Sequence, residues 1–248
     1  MGIKTARIPY TFFAIITPPP IGDKMSNTVK LHHDTIPLFK DLDLCDSRFI
    51  NSSLLRVDQR EKFTDEQYIP VDLHLYASLC GITLKKSYNQ VLSIANKLRD
   101  TSFTLDLSNG YKINTSLVYE VIYTDDPYIV KINWNRKFIP YISGNMRSGT
   151  FITIDPITST IKSQKRYSLY LLIHKSLWKL GQNDVFYITK ADIRLQANVQ
   201  EGEYKEYKEY KELNRTLLQP TLKDIGNKLG IHLKTKVVGD SVEFRHDI

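Results

Sequence analysis

Residues 201–215 read EGEYKEYKEYKELNR, three Tyr-Lys-Glu triplets back to back. Lysine and arginine side chains bind phosphate and carboxylate oxygens, so a regular row of them is a candidate polyanion-binding surface. A three-residue repeat does not fit a strand, whose faces alternate every two residues. On an α-helix each step of three advances by about 300°. Tyr204, Tyr207 and Tyr210 then share one face. Lys205, Lys208 and Lys211 form a second stripe, onto which Arg215 projects, with Asn214 near its tyrosine-side edge. If the tyrosines pack inward, the lysines and Arg215 lie on a solvent-exposed flank. The plain structural reading stands beside this one. Lys205–Glu209 and Lys208–Glu212 are i,i+4 pairs worth roughly 0.2–0.5 kcal/mol each in the weaker orientation, and such a helix can be no more than a solvated face.

A second candidate lies upstream in Leu84–Arg99. Off its apolar stripe it carries Lys85, Lys86, Asn89, Gln90, Ser93, Asn96, Lys97 and Arg99. Lys and Arg suit phosphates or guanine edges, whereas Asn and Gln suit adenine edges. An ordinary polar helix surface has the same composition. Lys112, just past an Asn109-Gly110 turn, is a candidate phosphate contact from a β-hairpin.

Catalytic and metal-binding patterns are missing. There is no GxxxxGK[ST] loop and no Cys-x-x-Cys pair. His32 and His33 are adjacent and would point apart on a strand. His74, His174, His232 and His246 each stand alone. The chain reads as a non-enzyme with no cofactor and no metal.

The elements that would hold the two basic helices follow from periodicity. Val71, Leu75 and Leu79 at spacing four predict a short helix with Pro70 near its start. Gly81 supplies a turn and Thr83 an N-cap. Leu84, Tyr88, Val91, Ala95 and Leu98 then define a one-faced second helix. Phe103, Leu105 and Leu107 alternate into the Asn109-Gly110 turn, and YKINTSLVYEVIY and YIVKINW read as further strands. A helix-turn-helix followed by a hairpin is a winged helix, with that first hairpin as the wing.

The order recurs. Phe186–Ile188 reads as a short strand, Thr189 caps a helix to about Val199, and a second helix runs from about Glu203 to Leu229, with a kink or break expected at Pro220. Ile231, Leu233, Thr235 and Val237 alternate, Gly239-Asp240 turns, and Val242 and Phe244 alternate back. A buried helix in STIKSQKRYSLYLLIHKSLWKL lies between the two sets. The expected fold is α+β, two tandem winged-helix domains. Residues 1–48 are expected to be a partly flexible leader, 49–150 the first domain, and 151–248 the linker helix and second domain.

Bulk composition permits this. The chain has 248 residues, a net charge of +7 and 42% hydrophobic residues, which is ordinary for a globular protein with a polyanionic partner. No apolar run approaches the roughly 18–20 residues that span a bilayer. Thr11–Thr17 is short and runs into Pro18-Pro19-Pro20, so it reads as leader, with Met25 an alternative start. Only Cys45 and Cys80 are present, which fits a reducing compartment.

Four stretches together resemble the plasmid replication initiator (Rep) family, whose members carry two winged helices and bind iterated origin repeats (iterons). IPVDLHLYASLCGITLKKSYNQVLSIANKL, with Tyr88 and the closing Lys97-Leu98, resembles the family's first helix-turn-helix. NRKFIPYISG resembles the segment before the interdomain region. IKSQKRYSLYLLI resembles the linker helix at Lys162, Ser163, Leu169 and Tyr170. EYKEYKELNRTLLQPTLKDIGNKLGIHL resembles the second recognition helix, with Tyr204, Leu213, Arg215, Leu218, Pro220, Lys223 and Ile225 in register, and VEFR the final strand. Lys165, Ser168, Leu171 and Gly226-Asn227 depart from the usual pattern, and the opening helix near 49–60 is short and polar for the family.

The resemblance implies a bacterial, cytoplasmic, plasmid-associated protein that binds double-stranded DNA at repeated origin sites and promotes origin opening without catalysis. It implies the host replication initiator and replicative helicase as partners, and a monomer–dimer equilibrium. A winged-helix transcriptional regulator of a plasmid or phage, or a non-DNA interaction scaffold, would show the same local physics.

Overall fold

The computed structural model describes residues 28–55, 67–107, 109–123, 129–142, 151–154, 161–181, 185–200, 203 and 207–247. It opens with strand β1 (Val29–His32), a 3-10 segment (His33–Lys40) and helix α1 (Leu44–Leu54). A reciprocal capping box starts α1: Asp46 N donates to the Asp43 carboxylate at 2.8 Å, and Asp43 N to the Asp46 carboxylate at 3.0 Å. Residues 28–48, expected in the leader, belong instead to the core. Val29, Leu31, Ile36 and Phe39 are at most 1% exposed. β1 pairs antiparallel with β7 (Phe151–Ile154), which carries residues 151–154 into the first unit as well. Pro37 and the absence of any period hid this segment, because its burial comes from distant partners.

The helix pair follows strand β2 (Tyr68–Val71), which extends through the Pro70-Val71 stretch expected to open a helix. Helix α2 (Leu73–Cys80) begins one turn later, where Leu75 N donates to the Asp72 side chain at 3.0 Å. Gly81 ends α2 at φ 65, the left-handed conformation that glycine adopts without strain. Helix α3 (Leu84–Asp100) follows directly. Its inward face is Ser87, Val91, Ile94, Ala95 and Leu98, while Leu84 and Tyr88 are half-buried at its edge.

Four strands come next: β3 (Phe103–Asp106), β4 (Lys112–Thr115), β5 (Val118–Tyr123) and β6 (Val130–Trp134). They form two sheets. β3 and β4 pair only with each other, while β2, β6 and β5 form a three-stranded sheet in that order. A short helix α4 (Ile139–Ile142) precedes β7. Helix α5 (Gln164–Ser176) is the connecting element, with Tyr167, Leu169, Tyr170, Leu171 and Ile173 at most 1% exposed.

The second unit consists of β8 (Val185–Thr189), α6 (Lys190–Gln196), α7 (Tyr207–Leu213), α8 (Gln219–Leu229), β9 (Leu233–Val238) and β10 (Ser241–His246). Its sheet order is β8-β10-β9. That order matches β2-β6-β5 strand for strand: a short strand before the helix pair, then a hairpin after it, whose second strand lies central. The hairpin equivalent to the second wing is therefore β5–β6. The expected first wing, β3–β4 around Asn109-Gly110, is an extra hairpin inserted between α3 and β5. The turn joining β5 to β6 falls in residues 124–128, outside the described residues.

Pro220 breaks nothing. Asn214–Leu218 forms a π-helical turn that joins α7 to α8, and Pro220 falls in the first turn of α8. Proline lacks an N–H and its ring crowds the carbonyl four residues back, so the wider i→i+5 turn absorbs the misfit. Gly226 answers a second constraint, since a Cβ there would lie 2.9 Å from His232 Nδ1.

Candidate nucleic-acid interface

On α3, the side of the helix away from the core presents Lys85, Lys86, Asn89 and Ser93, all exposed. Gln90 is half-buried and its amide donates to Cys45 Sγ at 3.1 Å. Asn96 donates to Leu92 O at 2.9 Å and accepts from the Tyr123 hydroxyl at 2.9 Å, so its amide is tied to β5. Arg99 pairs with Asp100 at 2.8 Å.

Lys97 is held elsewhere. Its ammonium donates to Asp43 at 3.0 Å and to Asp46 at 2.5 Å. Burial opposes the charge on Lys97, but the bonds from both carboxylates outweigh it and raise the pKa. The Asp46 side chain is wholly buried, and burial pushes its carboxyl up. Lys97 thus ties α3 to the start of α1. Sequence spacing placed it with the candidate DNA-contacting cations, and the fold pairs its charge with a carboxylate 51 positions away.

Lys112 pairs with Asp106 across the β3–β4 hairpin at 3.1 Å, and both side chains are exposed. It stands on the inserted hairpin rather than on the wing equivalent.

On α7 and the π-helical turn, Lys211 and Arg215 are exposed and Asn214 is half-buried. Lys205 and the side chain of Lys208 lie outside the described residues. Arg215 Nε donates to Glu212 at 3.1 Å in a two-pronged pair one turn back, with the Arg215 side chain 73% exposed. Of the three tyrosine side chains, that of Tyr210 is described. It packs half-buried against the core with the Lys190 ammonium 5.3 Å from its ring, and burial pushes its hydroxyl up to about 12. Gln219 links helix to wing: its amide donates to Asn214 Oδ1 at 3.1 Å and to Thr235 Oγ1 of β9 at 3.2 Å.

The structure adds cations that the sequence reading did not single out as site residues. Lys223 is exposed on α8, and Lys234 and Lys236 share one face of β9. Lys234 pairs with Asp247 at 2.6 Å. The signal was visible, because residues two apart on a strand share a face.

Among the described residues no group of three or more His, Cys, Asp or Glu is placed to hold a metal, and no helix is long and apolar enough to cross a membrane.

Fold and site together define a tandem winged-helix protein with two polar, cation-bearing second helices. The sequence matches the family model described as initiator replication protein, WH1, over residues 28–174, more than half of the chain. The chain belongs to that family. Its fold is similar to the crystal structure of the Pi initiator protein in complex with iteron DNA, with a TM-score of 0.71, 17% identity, and coverage of 90% of this chain and 98% of that one. Two other solved structures share less. The WH1 domain of MSBI1.176, a replication protein isolated from a multiple sclerosis patient, gives 0.35 at 16% identity over 43% of this chain and 85% of that one. Domains 2 and 3 of RctB give 0.42 at 9% identity over 92% and 94%. No curated protein sequence matches.

Proposed function

We propose that this protein is a replication initiator that binds repeated double-stranded DNA sites through two major-groove helices and promotes origin opening without catalysis of its own. The observation that carries the reading is the repeated frame. In each unit the second helix of a helix-turn-helix leaves a polar, basic face uncovered, and that helix is the one that enters a major groove. In the first unit the face is Lys85, Lys86, Asn89 and Ser93. Gln90 sits at its edge, and Lys97 acts behind it as a tether. In the second it is Lys211 and Arg215, with Asn214 and Lys223 beside them. Lys205 and Lys208 extend the same stripe by sequence, and Lys112 is a peripheral phosphate contact from the inserted hairpin. Membership of the initiator family supports this reading over a transcriptional regulator, and so does the likeness to an initiator whose structure was solved on iteron DNA. The host initiator, the replicative helicase and a monomer–dimer equilibrium belong to the same proposal.

The test is a binding titration across salt concentrations on duplexes carrying the repeats beside the gene. Two helices in successive major grooves need a repeat of roughly 20 base pairs, two turns of about 10.5 each. Log K falls linearly with log salt at a slope of about −0.9 per phosphate neutralised, so several contacts give a steep line. A flat line, or the absence of any duplex preference, leaves the scaffold reading in its place.

A further inference from the structure

A cavity of about 450 Å³ lies among the 3-10 segment, β7, α5 and the end of α8. Its lining includes His33 of the 3-10 segment, Phe151 and Ile152 of β7, His174 and Lys175 of α5, and Ile231 between α8 and β9. Walls therefore come from the first unit, the connecting helix and the second unit. The volume lies within the roughly 300–1,000 Å³ of small-molecule sites.

The lining combines apolar side chains with three nitrogen bases, His33, His174 and Lys175. Among the described residues, the charged and titratable groups around it are His32, Asp34 and Lys179, besides His33, His174 and Lys175. Asp34 is the acid of this group, yet it does not line the cavity, and its carboxylate sits 3.6 Å from His32 Nδ1. The Lys175 ammonium donates to the His33 carbonyl at a long 3.4 Å. His174 Nδ1 is buried and makes no hydrogen bond among the described residues. Burial, and then the Lys175 charge, hold His33 at about 4, while burial alone lowers His174. Burial also lowers Lys175. An anion in the cavity would add a close charged acceptor to the His33 carbonyl and the Asp34 charge that the ammonium already meets, and would favour the protonated form of both imidazoles.

We propose that this cavity binds a small organic acid, its apolar body against Phe151, Ile152 and Ile231 and its carboxylate held by Lys175 with His33 and His174. Such a ligand would touch both winged units and the helix between them. The inference does not rest on the DNA-binding reading.

Octanoate and octanol share an apolar tail and differ in the head group, so isothermal titration of the full chain with each isolates the carboxylate. Octanoate is expected to bind about tenfold more tightly than octanol, the size of one charge-assisted contact. Lys175→Met should abolish the difference. Octanoate affinity should rise as pH falls through the histidine midpoints of the bound state, which lie above those of the free chain, because binding takes up protons there. If Lys175→Met does not fold, imidazole NMR of the unmodified chain supplies the decision: octanoate should raise the titration midpoints of His33 and His174. Equal affinity for the two probes, a preference that survives Lys175→Met, or unmoved histidine midpoints would each overturn the proposal. Gel shifts of the same preparation on repeat DNA report separately on origin binding.

Discussion

Arg215 is the side chain whose chemistry is most open to test. It lies on the π-helical turn, exposed, with its guanidinium oriented by Glu212 one turn back. A guanidinium offers two parallel donors, which match the O6 and N7 edge of guanine. Arg215→Ala should weaken binding to the specific repeat by roughly 1–3 kcal/mol and binding to random duplex by much less. Parallel titrations on the two duplexes measure the split. Equal losses would make Arg215 a phosphate contact. The sequence marked this residue because Arg215 continues the lysine stripe of the triplets. It did not show that Glu212 would hold the guanidinium, since Glu212 is equally spaced to pair with Lys208 at i,i+4.

At the scale of the element, α3 is set by more than its apolar face. Ser87, Val91, Ile94, Ala95 and Leu98 bury one side, and Lys97 ties the far end to Asp43 and Asp46 at the start of α1. Lys97→Met keeps the apolar stem and removes the ammonium, which leaves the buried Asp46 carboxylate short of a partner. The loss should be about 1–3 kcal/mol at neutral pH, read as a lower urea midpoint with an unchanged slope. Its pH dependence has a definite sign. The folded pKa of Asp46 lies above its unfolded value, so the folded state favours the protonated acid. The penalty in the variant is therefore full above that raised pKa and fades as pH falls through it. A deficit that stays constant down to acid pH would mean that Asp46 is not the group left unpaired. The local pattern predicted the helix and its cap at Thr83, but the tether needed α1 to fold against α3.

At the scale of the whole molecule, α5 joins the two units by polar bonds as well as apolar burial. Asn51 of α1 donates to the Tyr167 hydroxyl at 2.7 Å, and Ser168 donates to Phe39 O at 2.9 Å. On the other side Arg166 pairs with Asp224 of α8 and donates to Pro220 O at 3.3 Å. Lys165, at a position that departs from the family pattern, pairs with Glu203 at 2.6 Å. Ser168 and Leu171, two further departures, are both buried, which suits a small hydroxyl and an aliphatic side chain better than charged residues. One helix shared by two cores predicts one cooperative transition. In a Trp178→Phe background, fluorescence of Trp134, buried in the first unit, and far-UV circular dichroism should give the same midpoint. Arg166→Met should lower that midpoint, by about 2–4 °C for each kcal/mol lost, without separating the two probes. Two distinct transitions would show that the units unfold independently.

Much of this architecture was legible from neighbours in the chain. Helix periods, the Thr83 and Thr189 caps, the Gly81 turn and the repeated order of helix, helix and hairpin all depend on residues a few positions apart, where sequence and structure share one ruler. The tertiary structure decided the rest. It built residues 28–48 into the core by pairing β1 with β7, moved the first wing from β3–β4 to β5–β6, and gave the Lys97 ammonium two carboxylate partners on α1 and its cap. Each of these outcomes depends on partners distant in sequence. Strand pairing and buried charge are settled by which surfaces the closed chain brings together, and no local spacing encodes that.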